Sequence, residues 1–229
     1  MQELPYIDFH CHSKANLKAN VLSIRSAEPL EQMPTDTLIS IGIHPWCDNI
    51  EVAEKSILQL PKICKQQRVV AIGEIGLDRK RGLPLNTQIE LVQQQLQIAE
   101  SIGLPVVLHC VAAWSELLAM LNHYPSIRWT IHGFRGDVQL AHKILEAGGM
   151  LSFGAHIIRP TPQLTNALQN IPAQTFFIET DASNTPIEEV YLSIAKTLNI
   201  PVNELITQQH LNAQKFFERD LLALFNTIR

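Results

Sequence analysis

The stretch Val69-Val70-Ala71-Ile72-Gly73-Glu74 decides how the rest of the chain is interpreted. A run of consecutive apolar residues indicates a strand that is buried on both faces, as in a parallel sheet. A carboxylate follows the run, at the carboxyl end of the expected strand. Similar apolar runs recur along the chain. They predict eight strands: Tyr6–His10, Val21–Ile24, Leu38–Ile43, Val69–Ile72, Val106–His109, Trp129–His132, Met150–Phe153 and Phe176–Glu179.

Helical patterns lie between most of these runs. Residues 87–101 repeat Leu and Ile at helical spacing and stop at Gly103, which suits a C-terminal cap. Residues 137–147 show the same helical spacing and also stop before a glycine. Thr185-Pro186-Ile187-Glu188 predicts an N-cap, a proline at the first helical position and a capping-box glutamate. A last helix is expected over residues 212–226.

This alternation predicts an α/β fold, specifically a (β/α)8 TIM-like barrel that forms a single domain over residues 1–229. Only about ten residues separate the first two predicted strands, so the first β/α unit is expected to be shortened. A doubly wound open sheet is the alternative fold. The chain lacks the G-x-G-x-x-G after its first strand that would favour dinucleotide binding.

Composition excludes several classes of protein. Hydrophobic residues make up 46% of the chain and charged residues 17%, which argues against disorder. The four cysteines form no C-x-x-C pair, so neither a disulfide framework nor a thiolate zinc site is expected. We find no secretory signal and no membrane-spanning run, and therefore expect a cytoplasmic protein without a membrane partner or an obligate protein partner. The net charge of −4 gives no support for an extended basic surface, so any contact with phosphate must be local.

Polar side chains stand at the carboxyl ends of several different strands. A single histidine at a strand end more often caps the strand, but here the placement repeats. In a parallel barrel all of these ends open onto one face, where barrel enzymes keep their catalytic residues. His10 and His12 are also two residues apart, so on an extended strand both rings point the same way. We therefore predict a metal site built from His10, His12, Glu74, His109, His132 and Asp181.

Imidazole with carboxylate suits a divalent ion such as Zn²⁺, Mn²⁺ or Mg²⁺. Six ligands exceed what one catalytic ion takes while it keeps an open position. Two ions about 3.5–4 Å apart, bridged by a carboxylate, fit better. Such a pair lowers the pKa of a shared water, which predicts hydrolysis of an ester, an amide or a phosphoester.

The ordered set of motifs resembles the TatD family of metal-dependent deoxyribonucleases and related hydrolases, in the amidohydrolase-like barrel group. The resemblance runs from residue 5 to about residue 217. A looser match is His132-Gly133-Phe134-Arg135-Gly136. The other matching segments are Asp8-Phe9-His10-Cys11-His12, Gly42-Ile43-His44-Pro45, Ala71-Ile72-Gly73-Glu74-Ile75-Gly76-Leu77-Asp78, Leu104-Pro105-Val106-Val107-Leu108-His109 and Glu179-Thr180-Asp181-Ala182.

The resemblance implies a metal-assisted phosphodiesterase that removes nucleotides from DNA ends. It implies that one ion is held by His10, His12 and Asp181. The second ion would be held by His109 and His132, with Glu74 as the bridge and Asp181 helping to activate the water. His44 and Arg135 would meet substrate phosphate, and Asp78 would support a ligand from behind. The resemblance therefore implies DNA or another phosphoester as the substrate.

Three positions depart from the family pattern. Val111 stands where the family usually has an arginine, and Trp46 stands where it has a second histidine. After Asp181 the chain continues with Ser183 and lacks the family's proline and basic stretch. Two alternatives therefore stay open, namely a hydrolase of small-molecule esters or amides on the same barrel and a non-catalytic metal-binding protein.

Two further substrate contacts are predicted from residue type. Arg79, in the charged run after Glu74, either grips phosphate beside the metals or belongs to a solvated turn. Trp46 directly follows His44-Pro45 and is a candidate for stacking on a nucleobase, since aromatic platforms hold single strands without sequence readout.

Overall fold

The computed structural model describes residues 4–12 and 20–228, and its eight strands form one sheet. The strand order follows the chain order, and every neighbouring pair is parallel. All eight predicted strands are confirmed. Their bounds are β1 Tyr6–Cys11, β2 Val21–Ala27, β3 Leu38–Ile41, β4 Val69–Asp78, β5 Val106–Val111, β6 Trp129–Ile131, β7 Met150–Phe153 and β8 Phe176–Ile178.

The sheet curves until its first and last strands meet. The Asp181 N–H donates to the His10 carbonyl at 2.9 Å, and the His12 N–H donates to the Asp181 carbonyl at 3.1 Å. These bonds join the residues after β8 to β1 and nearly close the barrel. The predicted (β/α)8 class is therefore confirmed, and the doubly wound alternative, which requires a reversal of strand order, is wrong.

Helices cover the outside of the barrel. The connection from β2 to β3, residues 28–37, contains no helix. Most of the predicted short first connection, residues 13–19, lies outside the described residues. None of the described helices is both long and apolar enough to cross a membrane. The α-helices are α1 Ile50–Ile63, α2 Leu85–Ile102, α3 Trp114–Leu121, α4 Val138–Glu146, α5 Pro162–Gln169, α6 Ile187–Leu198, α7 Val202–Phe217 and α8 Leu221–Ile228.

Several element boundaries differ from prediction. β4 extends to Asp78, so Glu74 lies within the strand. The pairing register between β4 and β5 shifts between Ile72 and Ile75, and the two strands then remain paired up to Asp78. The single predicted last helix is two helices, because Glu218 takes a left-handed φ of 52° and ends α7. The predicted cap at Thr185 is wrong, because α6 begins at Ile187 and Pro186, expected at the first helical position, takes the N-cap position instead.

An aromatic cluster fills one end of the barrel. Phe9 and Phe177 stack with ring centroids 4.0 Å apart, and both Phe216 and Phe217 of α7 pack against Phe9. The Arg219 guanidinium, just after α7, donates to the carbonyl of Val69 at the start of β4. This packing covers the amino-terminal ends of the strands and leaves the carboxyl ends for the polar residues.

Candidate metal centre

Glu74 is the centre of the polar cluster. Its side chain is 2% exposed, and its two carboxylate oxygens face different partners. Oε1 lies 2.8 Å from His132 Nε2 and 2.9 Å from His109 Nδ1. Oε2 lies on the other side of the carboxylate, towards β1. A carboxylate shared in this way has the arrangement that a bridging ligand requires.

His10 and His12 contact the second oxygen. Their Nε2 atoms lie 3.2 Å and 3.3 Å from Glu74 Oε2. The two Nε2 atoms are also only 3.2 Å from each other, which agrees with the prediction that rings two residues apart converge. His10 is fully buried, whereas the His12 side chain is 39% exposed and faces the mouth of the barrel.

Asp181 lies on the open side of the same cluster. One carboxylate oxygen is 3.5 Å from His12 Nε2, and the side chain is 38% exposed. The backbone of Asp181 joins the ends of the sheet by its bonds to His10 and His12, and its φ is 53°. The residue is thus held by its backbone while its carboxylate remains accessible to solvent.

The structure places His44 closer to the centre than the sequence suggested. His44 was predicted to contact substrate phosphate, yet its Nε2 lies 2.9 Å from Glu74 Oε1. Its Nδ1 accepts a hydrogen bond from the Trp46 backbone N–H at 3.0 Å, which leaves Nε2 for the cluster. His44, Glu74 and His109 present ligand atoms within 4.8 Å of one another.

Glu179 is a member of the site that the sequence reasoning missed. It is fully buried, accepts hydrogen bonds from the Ser152 hydroxyl at 2.6 Å and the Gly133 N–H at 2.7 Å, and lies 3.5 Å from His132 Nδ1. It ends the predicted eighth strand just as His109 ends the fifth, so the strand-end criterion would have found it. Glu179 therefore lies behind the His132 ring, on the side away from Glu74.

Asp78 lies behind His109, at the position where the resemblance implied a supporting residue. One of its oxygens lies 3.3 Å from His109 Nε2 and also accepts a hydrogen bond from the Trp46 indole N–H at 2.6 Å. The Trp46 ring lies edge-on to both His44 and His109, with centroids 4.8 Å and 5.8 Å away. Trp46 is 47% exposed, so the structure brings an accessible aromatic surface next to the cluster.

The two predicted arginine contacts lie farther out. Arg79 is turned towards α3, where its guanidinium pairs with Glu116 and donates to the Ala112 carbonyl, so the structure does not bring it to the cluster. Arg135 is exposed on the loop that follows His132, and its charge contributes to a lowered pKa of His156, after the larger effect of burial.

Electrostatics within the cluster fit a cation. Burial alone would raise the pKa of Glu74, but His132 and the other rings around it hold that pKa well below its usual range. Burial alone would lower the pKa of His132, yet Glu74 and Glu179 raise it well above its usual value. Burial, reinforced by His132, lowers the pKa of His10.

When neutral imidazole rings face both one another and a buried carboxylate, the lone pairs of the rings and of the carboxylate point at the same space. The facing Nε2 atoms of His10 and His12 repel each other unless a proton or a cation lies between them. The donor set of imidazole and carboxylate is one that zinc and similar divalent ions take. Among the residues that the structure describes, three overlapping groups meet the distance requirement for a metal ion: His10–His12–Glu74, His10–His132–Asp181 and His44–Glu74–His109.

The fold and this cluster together define a parallel β/α barrel with a candidate divalent-metal site. The sequence profile of the family described as TatD related DNase matches residues 7–218. The match covers nearly the whole chain and includes every residue of the cluster. This chain belongs to the TatD related DNase family.

Individual relatives agree with this assignment. The chain is 30% identical over 153 residues to the uncharacterized metal-dependent hydrolase YjjV of Escherichia coli; the match covers 65% of this chain and 59% of YjjV. It is 33% identical over 148 residues to the 3'-5' ssDNA/RNA exonuclease TatD of Cronobacter turicensis; that match covers 62% of this chain and 55% of the exonuclease. In both cases the matched part is less than two thirds of the relative's own length.

The crystal structure of E. coli YjjV is similar to this chain over nearly its full length. The TM-score is 0.80 at 23% identity, with 93% of this chain and 98% of the other chain covered. At this identity the likeness shows a shared fold. The barrel described above is therefore the fold of a solved TatD homologue.

Proposed function

We propose that this chain is a phosphodiesterase that uses two divalent ions, Zn²⁺, Mn²⁺ or Mg²⁺, to remove nucleotides from DNA ends. One observation carries the proposal: the buried Glu74 carboxylate has His10 and His12 beside one oxygen and His109 and His132 beside the other. This division matches the partition expected for a bridging carboxylate between two ions. Such ions would supply Lewis-acid stabilisation of the transition state and a water of lowered pKa.

The protein's own residues then have separate tasks. Asp181 is the general base, because its carboxylate is half-buried at the open side of the cluster, where water and substrate enter. Glu179 and Asp78 keep the His132 and His109 rings in orientation by their contacts from behind. Trp46 offers an exposed aromatic surface on which a terminal base would stack.

The nucleic-acid substrate is supported by the names of relatives. Among those similar to this chain, TatD from Cronobacter turicensis and from Pantoea is described as a 3'-5' ssDNA/RNA exonuclease. Single-stranded DNA is therefore the first substrate to test.

A small-molecule ester or amide hydrolase is the second candidate, and one observation favours it. A cavity of about 80 Å³ beside the cluster is lined by Glu28 and Glu31 together with His12, His44 and Glu74. Burial, reinforced by Glu31, raises the pKa of Glu28. Carboxylates on this wall repel a polyanion and would tolerate a neutral or cationic substrate.

A hydrolysis panel distinguishes the two candidates. Purified full-length chain is incubated with Mg²⁺, Mn²⁺, Co²⁺ or Zn²⁺ and with end-labelled single-stranded DNA, generic phosphoesters or acyl compounds. We expect release of nucleotides from the DNA end, and turnover that falls steeply as salt is added. Turnover of acyl compounds alone would overturn the phosphodiesterase in favour of the second candidate.

Matched variants tie the activity to the cluster. Glu74→Gln keeps the shape of the side chain and removes its charge, and we expect a rate loss of at least about a hundredfold. Glu54→Gln makes the same change on the exposed side of α1 and should leave the rate unchanged. Activity that survives both EDTA and Glu74→Gln would remove the basis of the proposal.

A further inference from the structure

The structure separates two arginines that are equivalent by sequence. Arg79 and Arg81 both follow β4 in one charged run. The Arg79 guanidinium is engaged by Glu116 and by the Ala112 carbonyl. The Arg81 guanidinium instead lies over the ring of Trp46, 4.5 Å from the centroid, and forms no ion pair with any described residue.

The Arg81 backbone is fixed. Its carbonyl accepts a hydrogen bond from the Gln88 carboxamide at 2.9 Å, and the same carboxamide donates to the carbonyls of Asp78 and Leu83. The Leu83 N–H donates to Cys47 O at 3.0 Å, which joins this loop to the loop that carries Trp46. Arg81 is therefore presented by a loop that is hydrogen-bonded on both sides.

The surface beneath Arg81 is also fixed, and it adjoins the cluster. The Trp46 indole donates to Asp78, and the ring lies edge-on to His44 and His109. A guanidinium stacked on an indole keeps its N–H groups at the rim, where they remain available to an anion. The stack thus places the positively charged Arg81 guanidinium at the edge of the metal centre.

Several carboxylates lie at this edge. Glu74, Asp78 and Asp181 lie in or beside the cluster, and Glu28 and Glu31 line the adjoining cavity. A phosphate that approaches the metals from the Trp46 side needs a compensating charge on the protein.

We propose that Arg81, held flat on Trp46, is the residue that binds a phosphate group of the single-stranded substrate beside the metal centre. This rests on the proposed phosphodiesterase function and names a specificity-determining residue for it. Trp46, which departs from the family's histidine, provides the ring on which the arginine is positioned.

The test measures binding separately from turnover. A fluorescein-labelled single-stranded oligonucleotide with phosphorothioate linkages, which slow hydrolysis, is titrated with full-length chain in Mn²⁺, and anisotropy is read at several salt concentrations. The variants are Arg81→Ala, Arg81→Lys and Lys80→Ala. Lys80 is the control, since it is exposed on the same loop and its replacement removes the same charge.

Arg81→Ala should weaken binding about tenfold or more, as expected for loss of a charge-assisted hydrogen bond. The slope of log affinity against log salt should fall by about 0.7, the value for one phosphate contact on a single strand. Arg81→Lys should fall between wild type and Arg81→Ala, because it keeps the charge and loses the planar stack. Lys80→Ala should stay within about threefold, because it is Arg81 and not Lys80 that the stack on Trp46 holds beside the cluster.

A second probe identifies the group that is bound. When the terminal linkages of the oligonucleotide are replaced by uncharged methylphosphonates, Arg81→Ala should no longer weaken binding. Equal losses in Arg81→Ala and Lys80→Ala, or a wild type that does not bind the oligonucleotide, would overturn the assignment. If the wild type hydrolyses DNA while Arg81→Ala binds normally, the assignment fails and the phosphodiesterase stands. If Arg81→Ala weakens binding but the wild type does not hydrolyse DNA, the Arg81 assignment stands and the phosphodiesterase fails.

Discussion

Asp181 combines a structural and a proposed chemical role in one residue. Its backbone bonds to His10 and His12 bring the ends of the sheet together, with φ at 53°. Among residues with a Cβ, aspartate and asparagine are the ones that tolerate this left-handed region. The backbone role therefore persists when the carboxylate is replaced by a carboxamide.

We predict that Asp181→Asn lowers kcat by about 10²- to 10⁴-fold, the usual contribution of a general base, while the melting temperature measured in EDTA stays close to that of wild type. Rates are measured under saturating Mn²⁺, and unfolding is followed by circular dichroism. Asp181→Ala is the comparison, since alanine is strained at this φ by about 1–2 kcal/mol and should also lower stability. A near-normal rate in Asp181→Asn would remove the base from the mechanism.

The connection between β4 and α2 depends on a single buried side chain. Gln88 is 3% exposed; its carboxamide oxygen accepts from the Asp78 N–H, and its nitrogen faces the carbonyls of Asp78, Arg81 and Leu83. A segment that turns away from a strand leaves backbone groups without partners, and this glutamine satisfies them. It also fixes Asp78, which supports His109.

Gln88→Ala should therefore lower the free energy of unfolding by about 2–3 kcal/mol, because it leaves buried backbone groups unsatisfied. Gln93→Ala makes the same change on the exposed face of α2 and should stay within about 0.5 kcal/mol of wild type. Urea denaturation with linear extrapolation measures both. Equal stability of the two variants would show that water replaces the Gln88 carboxamide without loss.

The barrel as a unit gathers ligands that are far apart in sequence. His10 and Asp181 come from the two ends of the sheet, and Glu74, His109 and His132 come from β4, β5 and the end of β6. An ion held by such a set binds the folded chain and has no preformed site in the unfolded one. Metal binding is therefore expected to stabilise the whole barrel.

We predict that EDTA lowers the melting temperature by about 5–10 °C, because ligand at 100 times its Kd contributes about 2.7 kcal/mol and a chain of this size shifts by about 2–4 °C per kcal/mol. Mn²⁺ or Zn²⁺ should restore the wild-type value. Glu74→Gln should lose this response, and Glu54→Gln should keep it. An unchanged wild-type melting temperature with and without ions would contradict the metal centre.

The local sequence pattern was sufficient to predict the eight strands and the polar residues at their carboxyl ends. Continuous Val, Ile and Leu require burial on both faces, and parallel strands in a barrel place their carboxyl ends on one face whatever the loops do. The six predicted ligands therefore converge in the structure. A single domain, a cytoplasmic location and two bound ions remain predictions.

Contacts between distant segments determined the features that the sequence did not predict. No local pattern distinguishes Arg79 from Arg81; their partners, Glu116 and Trp46, lie on other loops. The position of His44 against Glu74 depends on how β3 and β4 pair, and the end of α7 depends on the backbone at Glu218. Hydrophobic periodicity is a property of neighbours along the chain and can be read before folding. The partner of a charged side chain is chosen by the three-dimensional packing that brings loops together.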